Sequence, residues 1–149
     1  VYAGSSYGKQ AMLAIRLQDA TGDITGTDNV VWRLNRYTPY VPSPLLYKNL
    51  LYFLRHYQGI MTCLNAKTGE AIYGPTRLPG VNNVYASPVG AAGRVYIAAQ
   101  NGVTLVLKHG ARPIVLATNR IDEGINASPA IAGGEMFLRG EHHLYCIAE

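Results

Sequence analysis

The chain has 149 residues, 48% of them apolar, which is enough to bury the core of one ordinary domain and argues against disorder. Lysine and arginine number 13 against nine acidic residues, a net charge of +4, but they are scattered and form no basic stripe. No apolar run approaches the roughly 18 residues that a membrane helix requires. We therefore expect a folded chain without a nucleic-acid partner or a membrane span.

The dipeptide Ser-Pro occurs at Ser43, Ser87 and Ser128, at intervals of 44 and 41 residues. Nine residues after each serine comes an aromatic residue in an apolar run. These aromatic residues are Tyr52, Tyr96 and Phe137. Abundant glycine, proline and tyrosine among short apolar runs are typical of short strands joined by tight turns. A period of this length is typical of β-propeller blades, so the sequence predicts repeated four-stranded units.

In chain order, the first predicted strand lies at 1–4 and carries Tyr2 in the aromatic position. With strands labelled A to D outward from the ring axis, this first unit has strands B, C and D. Two complete units follow, and then a unit with strands A, B and C. The predicted fold is an all-β partial β-propeller of four-stranded antiparallel blades, in which two complete blades are flanked by two partial ones. The approximate units of this single segment, 1–149, are 1–36, 37–80, 81–120 and 121–149.

The run from Cys63 to Tyr73 reads Cys-x-Asn-x-x-x-Gly-x-x-x-Tyr. It resembles the tryptophan-docking motif of pyrroloquinoline quinone (PQQ)-like propeller repeats, Ala-x-Asp-x-x-x-Gly-x-x-x-Trp. Trp32 takes the motif's aromatic place in the first unit and Leu116 takes it in the third. The resemblance implies a structural role for Trp32, Gly69 and Tyr73, because an outer-strand aromatic stacks over the turn of the next blade.

Propellers of this family close with about seven or eight blades, so the resemblance implies further blades from a longer parent chain or from more copies. The run 144–149 resembles the ends of some members, and no signal peptide is visible at Val1. These features favour a C-terminal fragment. The resemblance further implies the non-enzymatic branch of the family and a periplasmic or extracellular location.

Cys63 and Cys146 occupy one repeat position, where the other units carry Ala14 and Val106. We therefore expect both cysteines to be small apolar core residues rather than a disulfide or a reactive pair. PQQ-dependent dehydrogenases of the superfamily carry adjacent cysteines, and this sequence has no such pair. The histidines show no metal-ligand spacing. We expect no catalytic residue, no metal site and no cofactor.

The B-to-C loops and the D-to-A loops of a propeller emerge at the same end, where loops often carry function. Here they are rich in tyrosine, arginine, asparagine and histidine, which suit contacts with proteins or glycans. The alternative interpretation is that they are only solvated turn residues, as we expect for Asp122 and Glu123. The predicted binding residues are Arg55, His56, Tyr57, Gln100, Asn101, His142, Tyr40 and Tyr85.

Three functions are compatible with these observations. The favoured one is a non-catalytic propeller segment that serves as a protein-interaction or assembly scaffold in the cell envelope. The second is a piece of a PQQ-dependent dehydrogenase. The third is a structural protein whose copies associate through open blade faces, since an open arc leaves apolar faces and strand edges exposed.

Overall fold

The computed structural model describes residues 1–55 and 58–148, and the regular structure in them is entirely β-strand. The strands are short and separated by turns, as the glycine and proline content predicts. The first half of the chain contains β1 (Tyr2–Ser5), β2 (Ala11–Ile15), β3 (Val30–Leu34), β4 (Leu45–Tyr47), β5 (Leu50–Arg55), β6 (Ile60–Asn65) and β7 (Ala71–Arg77). The second half contains β8 (Val89–Ala91), β9 (Arg94–Ala98), β10 (Val103–Lys108), β11 (Val115–Arg120), β12 (Ala130–Ala132), β13 (Glu135–Arg139) and β14 (Leu144–Ala148).

The strands form four antiparallel sheets, within each of which neighbours in sequence are neighbours in space. We name them blade 1 (β1–β3), blade 2 (β4–β7), blade 3 (β8–β11) and blade 4 (β12–β14). Blades 2 and 3 have four strands, and blades 1 and 4 have three each among the described residues. The predicted order B-C-D, A-B-C-D twice and A-B-C is therefore confirmed. Positive φ at Lys48 and Ala92, 55° and 46°, closes the hairpins between the first two strands of blades 2 and 3.

The strand registers show that the blades are superimposable repeats. In each blade the aromatic residue of strand B lies directly opposite the aligned residue of strand C. These pairs are Tyr2 with Ala14, Tyr52 with Cys63, Tyr96 with Val106, and Phe137 with Cys146. One expectation was wrong: Ala117, not Leu116, lies opposite Val106 in the outer strand of blade 3. The loop before that strand is one residue longer than the motif spacing assumes.

Strand β5 shows how a blade is held on both sides. Leu50, Tyr52 and Leu54 are buried in a cluster shared with blade 3, whereas Leu51 and Phe53 are buried in a cluster shared with blade 1. Alternate residues of a strand point to opposite faces, so an apolar run without polar alternation is what a sheet between two others requires. Full burial of such a side chain stabilises the fold by about 1.5–3 kcal/mol.

The two cysteines have different environments. Cys63 is fully buried, and burial raises the pKa of its thiol to about 11, so little reactive thiolate forms. The expectation of a buried Cys146 was wrong, because its side chain is exposed. It lies on the face of blade 4 turned away from blade 3, where no other sheet formed by the described residues packs. Neither cysteine forms a disulfide.

Blade 1 docks on blade 2 through Trp32, as the motif implies. The indole Nε1 donates a hydrogen bond of 3.0 Å to the carbonyl of Ala66, and a Cβ on Gly69 would lie 2.6 Å from the indole Cδ2. The Tyr2 hydroxyl donates to the same carbonyl at 2.9 Å. The glycine is needed both for this close approach and for its φ of 74°.

Blade 2 docks on blade 3 differently from what Tyr73 predicts. The hydroxyl of Tyr52 lies 2.8 Å from His109 Nδ1 and accepts the Gly110 amide at 3.2 Å. The ring of Tyr47 meets the imidazole edge-on at 5.0 Å. Tyr73 packs against the apolar cluster of this junction, and its hydroxyl contacts Met61 Sδ. Among the residues that the structure describes, strands A and B rather than the outer strand thus provide the hydrogen bonds and ring contacts with the His109 turn.

The repeated serines form a hydrogen-bonded series just before the innermost strands. The Ser43 amide donates to Ser87 Oγ at 2.9 Å, and the Ser87 amide donates to Ser128 Oγ at 2.8 Å. Small residues are needed near the axis, but size does not explain why serine recurs. The hydroxyl is kept because it accepts an amide that the preceding blade presents at its edge.

Candidate functional site

The B-to-C loops and D-to-A loops lie at one end of the blades, where they bond to each other. The Leu78 amide donates to the Gly59 carbonyl at 2.8 Å, and the Ile121 amide donates to the Gly102 carbonyl at 3.0 Å in the next blade. A Cβ on Gly59 would lie 2.6 Å from the Val81 carbonyl oxygen. These contacts recur from blade to blade, so the loops form a braced surface. We call it the loop face.

Three tyrosines and one arginine form an exposed aromatic group on the loop face. Tyr7 is 83% exposed and stacks on Tyr40 with a centroid distance of 6.4 Å and an interplanar angle of 24°. The guanidinium of Arg55 lies 5.0 Å from the centroid of the Tyr37 ring, within the range of a cation–π contact. Arg55 also pairs with Pro39 through an isolated β-bridge. We call Tyr7, Tyr37, Tyr40 and Arg55 the tyrosine patch.

The polar residues predicted in blade 3 brace the loops internally. Gln100 Nε2 donates to Asn126 Oδ1 at 2.7 Å, and the Gln100 amide donates to the Asn83 carbonyl. Asn101 Nδ2 donates to the Gly80 carbonyl at 2.8 Å. Asn101 Oδ1 is buried and has no hydrogen-bond partner among the described residues. The primary role of both side chains is thus to connect loops.

The role of Glu123 could not be predicted from the sequence. Its carboxylate accepts the His142 amide at 2.8 Å, the His143 amide at 3.2 Å and the Tyr145 hydroxyl at 2.8 Å, and it contacts His143 Nδ1. These hydrogen bonds, led by the His142 amide, lower its pKa to about 2. The expectation of a solvated turn was wrong for Glu123, which fastens the last B-to-C loop.

The remaining predicted residues occupy different positions on the loop face. Tyr85 is 39% exposed on the loop that enters blade 3. His142 is exposed, and its backbone amide, rather than its ring, makes the contact with Glu123. His56 and Tyr57 lie outside the described residues, so their predicted part in binding is not placed. Among residues 1–55 and 58–148, no group of three or more acidic, histidine or cysteine side chains could hold a metal ion.

Comparison with solved structures identifies the architecture. BamB from Moraxella catarrhalis has 14% identity and a TM-score of 0.68, over 94% of this chain and 41% of BamB. The chain is an arc of a β-propeller. The computationally designed protein Ika4 has 12% identity and a TM-score of 0.70, over 99% of this arc and 83% of Ika4. The computationally designed Ika8 gives 12% and 0.69, over 99% of the arc and 42% of Ika8.

These similarities establish the fold of the arc. The arc spans less than half the length of BamB and of Ika8. No family model and no curated protein matches the sequence. In the part of the chain that the structure describes, no helix is long and apolar enough to cross a membrane.

Proposed function

We propose that the arc is a non-catalytic scaffold that presents the tyrosine patch to a protein partner in the cell envelope. The observation that carries the proposal is the exposure of tyrosine rings on a braced loop surface. Tyr7, Tyr37 and Tyr40 are 83%, 41% and 38% exposed, and Arg55 lies against one of the rings. The envelope location rests on the resemblance to PQQ-like repeats.

The chemistry of the tyrosine patch favours a protein partner. Tyrosine and arginine are enriched among residues that dominate binding energy, because each combines a large apolar surface with a hydrogen-bonding end. The loops beneath the patch bond to neighbouring strands, as when Thr38 Oγ1 donates to the Ser5 carbonyl at 2.8 Å. A surface that is already ordered loses less conformational entropy on binding.

The test compares binary affinities for a partner captured by cross-linking in cells of the source organism. We expect Tyr40→Ala and Arg55→Ala to weaken binding at least about tenfold, the effect of an interface residue worth more than 1 kcal/mol. The matched control is Arg112→Ala, because Arg112 is an exposed arginine in the turn between strands C and D, at the opposite end of blade 3. Equal weakening by all three variants, or none by the first two, would contradict the proposal.

The non-catalytic part of the proposal has a separate test. The purified chain is incubated with PQQ, Ca²⁺, a reducible dye and a panel of alcohols and sugars. The absence of adjacent cysteines in the sequence supports the expectation of no substrate-dependent dye reduction. Sustained reduction that requires both PQQ and a substrate would instead favour a dehydrogenase fragment.

A second candidate function, association between copies, is favoured by exposed apolar side chains on the end blades. Leu144 on β14 is 66% exposed, and Val31 on β3 is 46% exposed. Apolar edge strands pair readily with other chains. Light scattering over a concentration series tests this candidate: a stable mass of two or more copies supports it, and a monomer at all concentrations excludes it.

A further inference from the structure

A cleft of about 630 Å³ lies between blade 3 and blade 4. One wall is formed by blade 3 residues that include Arg94, Tyr96, Thr104 and Asn119. The other is apolar and belongs to blade 4, where Ile131, Met136, Leu138 and Ile147 line it. A volume of this size is within the range of pockets that bind small molecules.

The cleft exists where blade 3 departs from the repeat. The position that carries Met12 in blade 1 and Met61 in blade 2 carries Thr104 in blade 3, as the strand registers show. Both methionines are fully buried and fill the junctions that follow their blades. Replacing a long apolar side chain by threonine removes volume from the blade 3–4 junction and adds a hydroxyl.

A second departure enlarges the same cleft. The outer strand carries Trp32 in blade 1 and Tyr73 in blade 2, each opposite the aligned residue of strand C. In blade 3 that position is Ala117, which lies opposite Val106. The large aromatic that fills the other two junctions is thus missing here. All four strands of blade 3 are present, so these departures belong to a complete sheet.

One buried hydroxyl of the cleft wall lacks a partner. Thr104 is 4% exposed, and its Oγ1 has no hydrogen-bond partner among the described residues. A buried hydroxyl without a partner is costly unless a ligand or water satisfies it. Asn119 lies directly opposite Thr104 across the strand pair. Together they offer a hydroxyl and an amide at one end of the cleft.

The other end of the cleft is cationic. Arg94 lines the cleft at the position where blade 2 has the buried Leu50. The ion pair of the described residues joins His143 to Glu123, which leaves Arg94 without a carboxylate partner. Arg94 and Ala98, which lies directly opposite Thr104, are four residues apart along β9, or about 13 Å.

Glu135 borders the cleft, but its carboxylate does not neutralise the charge of Arg94. Glu135 is exposed and alternates along β13 with Met136, which belongs to the cluster between blades 3 and 4. Its side chain therefore points to the opposite face of the sheet.

We propose that this cleft binds an elongated organic carboxylate with an apolar body and a hydroxyl or carbonyl at its far end. The carboxylate lies at Arg94, whose guanidinium offers charge-assisted hydrogen bonds. The apolar body lies between Tyr96 and the aliphatic wall of blade 4. The far oxygen bonds to Thr104. This site is at a blade junction, and it is independent of the protein-binding surface proposed above.

The experiment is calorimetric titration of the full chain with three probes that share one alkyl chain. They are ω-hydroxydecanoate, decanoate without the hydroxyl, and decanediol without the carboxylate. We expect saturable one-to-one binding of ω-hydroxydecanoate. The other two probes should bind at least about fivefold more weakly, because decanoate lacks the far hydroxyl and decanediol lacks the charged carboxylate. Equal affinity for all three, or no saturable binding, would overturn the proposal.

Variants that restore the residues of blade 2 locate the site. Arg94→Leu should weaken ω-hydroxydecanoate about tenfold and leave decanediol unchanged, since decanediol has no charge for the guanidinium. Thr104→Met and Ala117→Tyr should each abolish binding by filling the cleft while circular dichroism retains the β-sheet signal. If both folded variants bind ω-hydroxydecanoate like the original chain, the probe lies elsewhere and the proposal fails.

Discussion

The shared carbonyl of Ala66 allows a quantitative test of how blade 1 is attached to blade 2. Its two donors, Tyr2 Oη and Trp32 Nε1, lie 2.9 and 3.0 Å away, and Ala66 is 6% exposed. Tyr2→Phe and Trp32→Phe each remove one donor and leave the carbonyl bonded to the other. Each single variant should lower the free energy of unfolding by about 1 kcal/mol for the lost hydrogen bond, with additional packing loss for the smaller ring at Trp32.

The double variant should cost more than the sum of the singles. It leaves a buried carbonyl without either side-chain donor, and an unsatisfied buried acceptor costs about 1–3 kcal/mol. We therefore expect a coupling energy of about 1 kcal/mol, measured by urea unfolding followed by circular dichroism. Tyr7→Phe is the control, because Tyr7 is 83% exposed. Additivity within about 0.5 kcal/mol would refute the shared-acceptor reasoning.

Two further predictions concern the turns onto which the blades dock. Gly69→Ala should destabilise the chain by more than Gly22→Ala in thermal unfolding: both glycines have positive φ, but only at Gly69 does the new Cβ meet Trp32, at 2.6 Å. Equal losses of stability in the two variants would show that the Trp32 indole can move aside without a cost in free energy. The free energy of unfolding should decrease below about pH 6.5, because the pKa of His109 is lower than usual in the folded chain. Burial of the imidazole is the larger cause, and the charge of Lys48 is the smaller one. The unfolded chain binds the proton first, so stability is complete above pH 6.5 and is lost below it. His109→Gln should lack this step in unfolding curves recorded from pH 8 to 5, and an unchanged step would contradict the assignment.

The fold could be predicted from the sequence because its structural units repeat. A regular interval between Ser-Pro and the aromatic residue fixes strands A and B relative to each other, and the apolar runs mark strand C. The registers accordingly place Tyr52 opposite Cys63 and Phe137 opposite Cys146, as the alignment assumed. Local spacing carries this information because hairpin neighbours in a blade are also neighbours in sequence.

The candidate site was only partly predictable. Loop composition identified Tyr40 and Arg55, but it could not distinguish an exposed ring from an amide that braces the loops, as Gln100 and Asn101 do. The contacts of Glu123 with the next loop join residues about 20 positions apart, and no local sequence pattern predicts them. A signal did exist for the serine series, since the same hydroxyl residue recurs in three successive units.

The sequence by itself determined the class of fold and the strand order, because each depends on periodic burial along the chain. Tertiary structure decided what happens between blades. One example is that Tyr52, rather than Tyr73, contacts the His109 turn of blade 3. Another is that Thr104 lines a cleft instead of lying in a filled core. Both outcomes depend on side chains from two sheets that meet across a junction. Such pairings are set by three-dimensional packing, which has no fixed spacing in sequence.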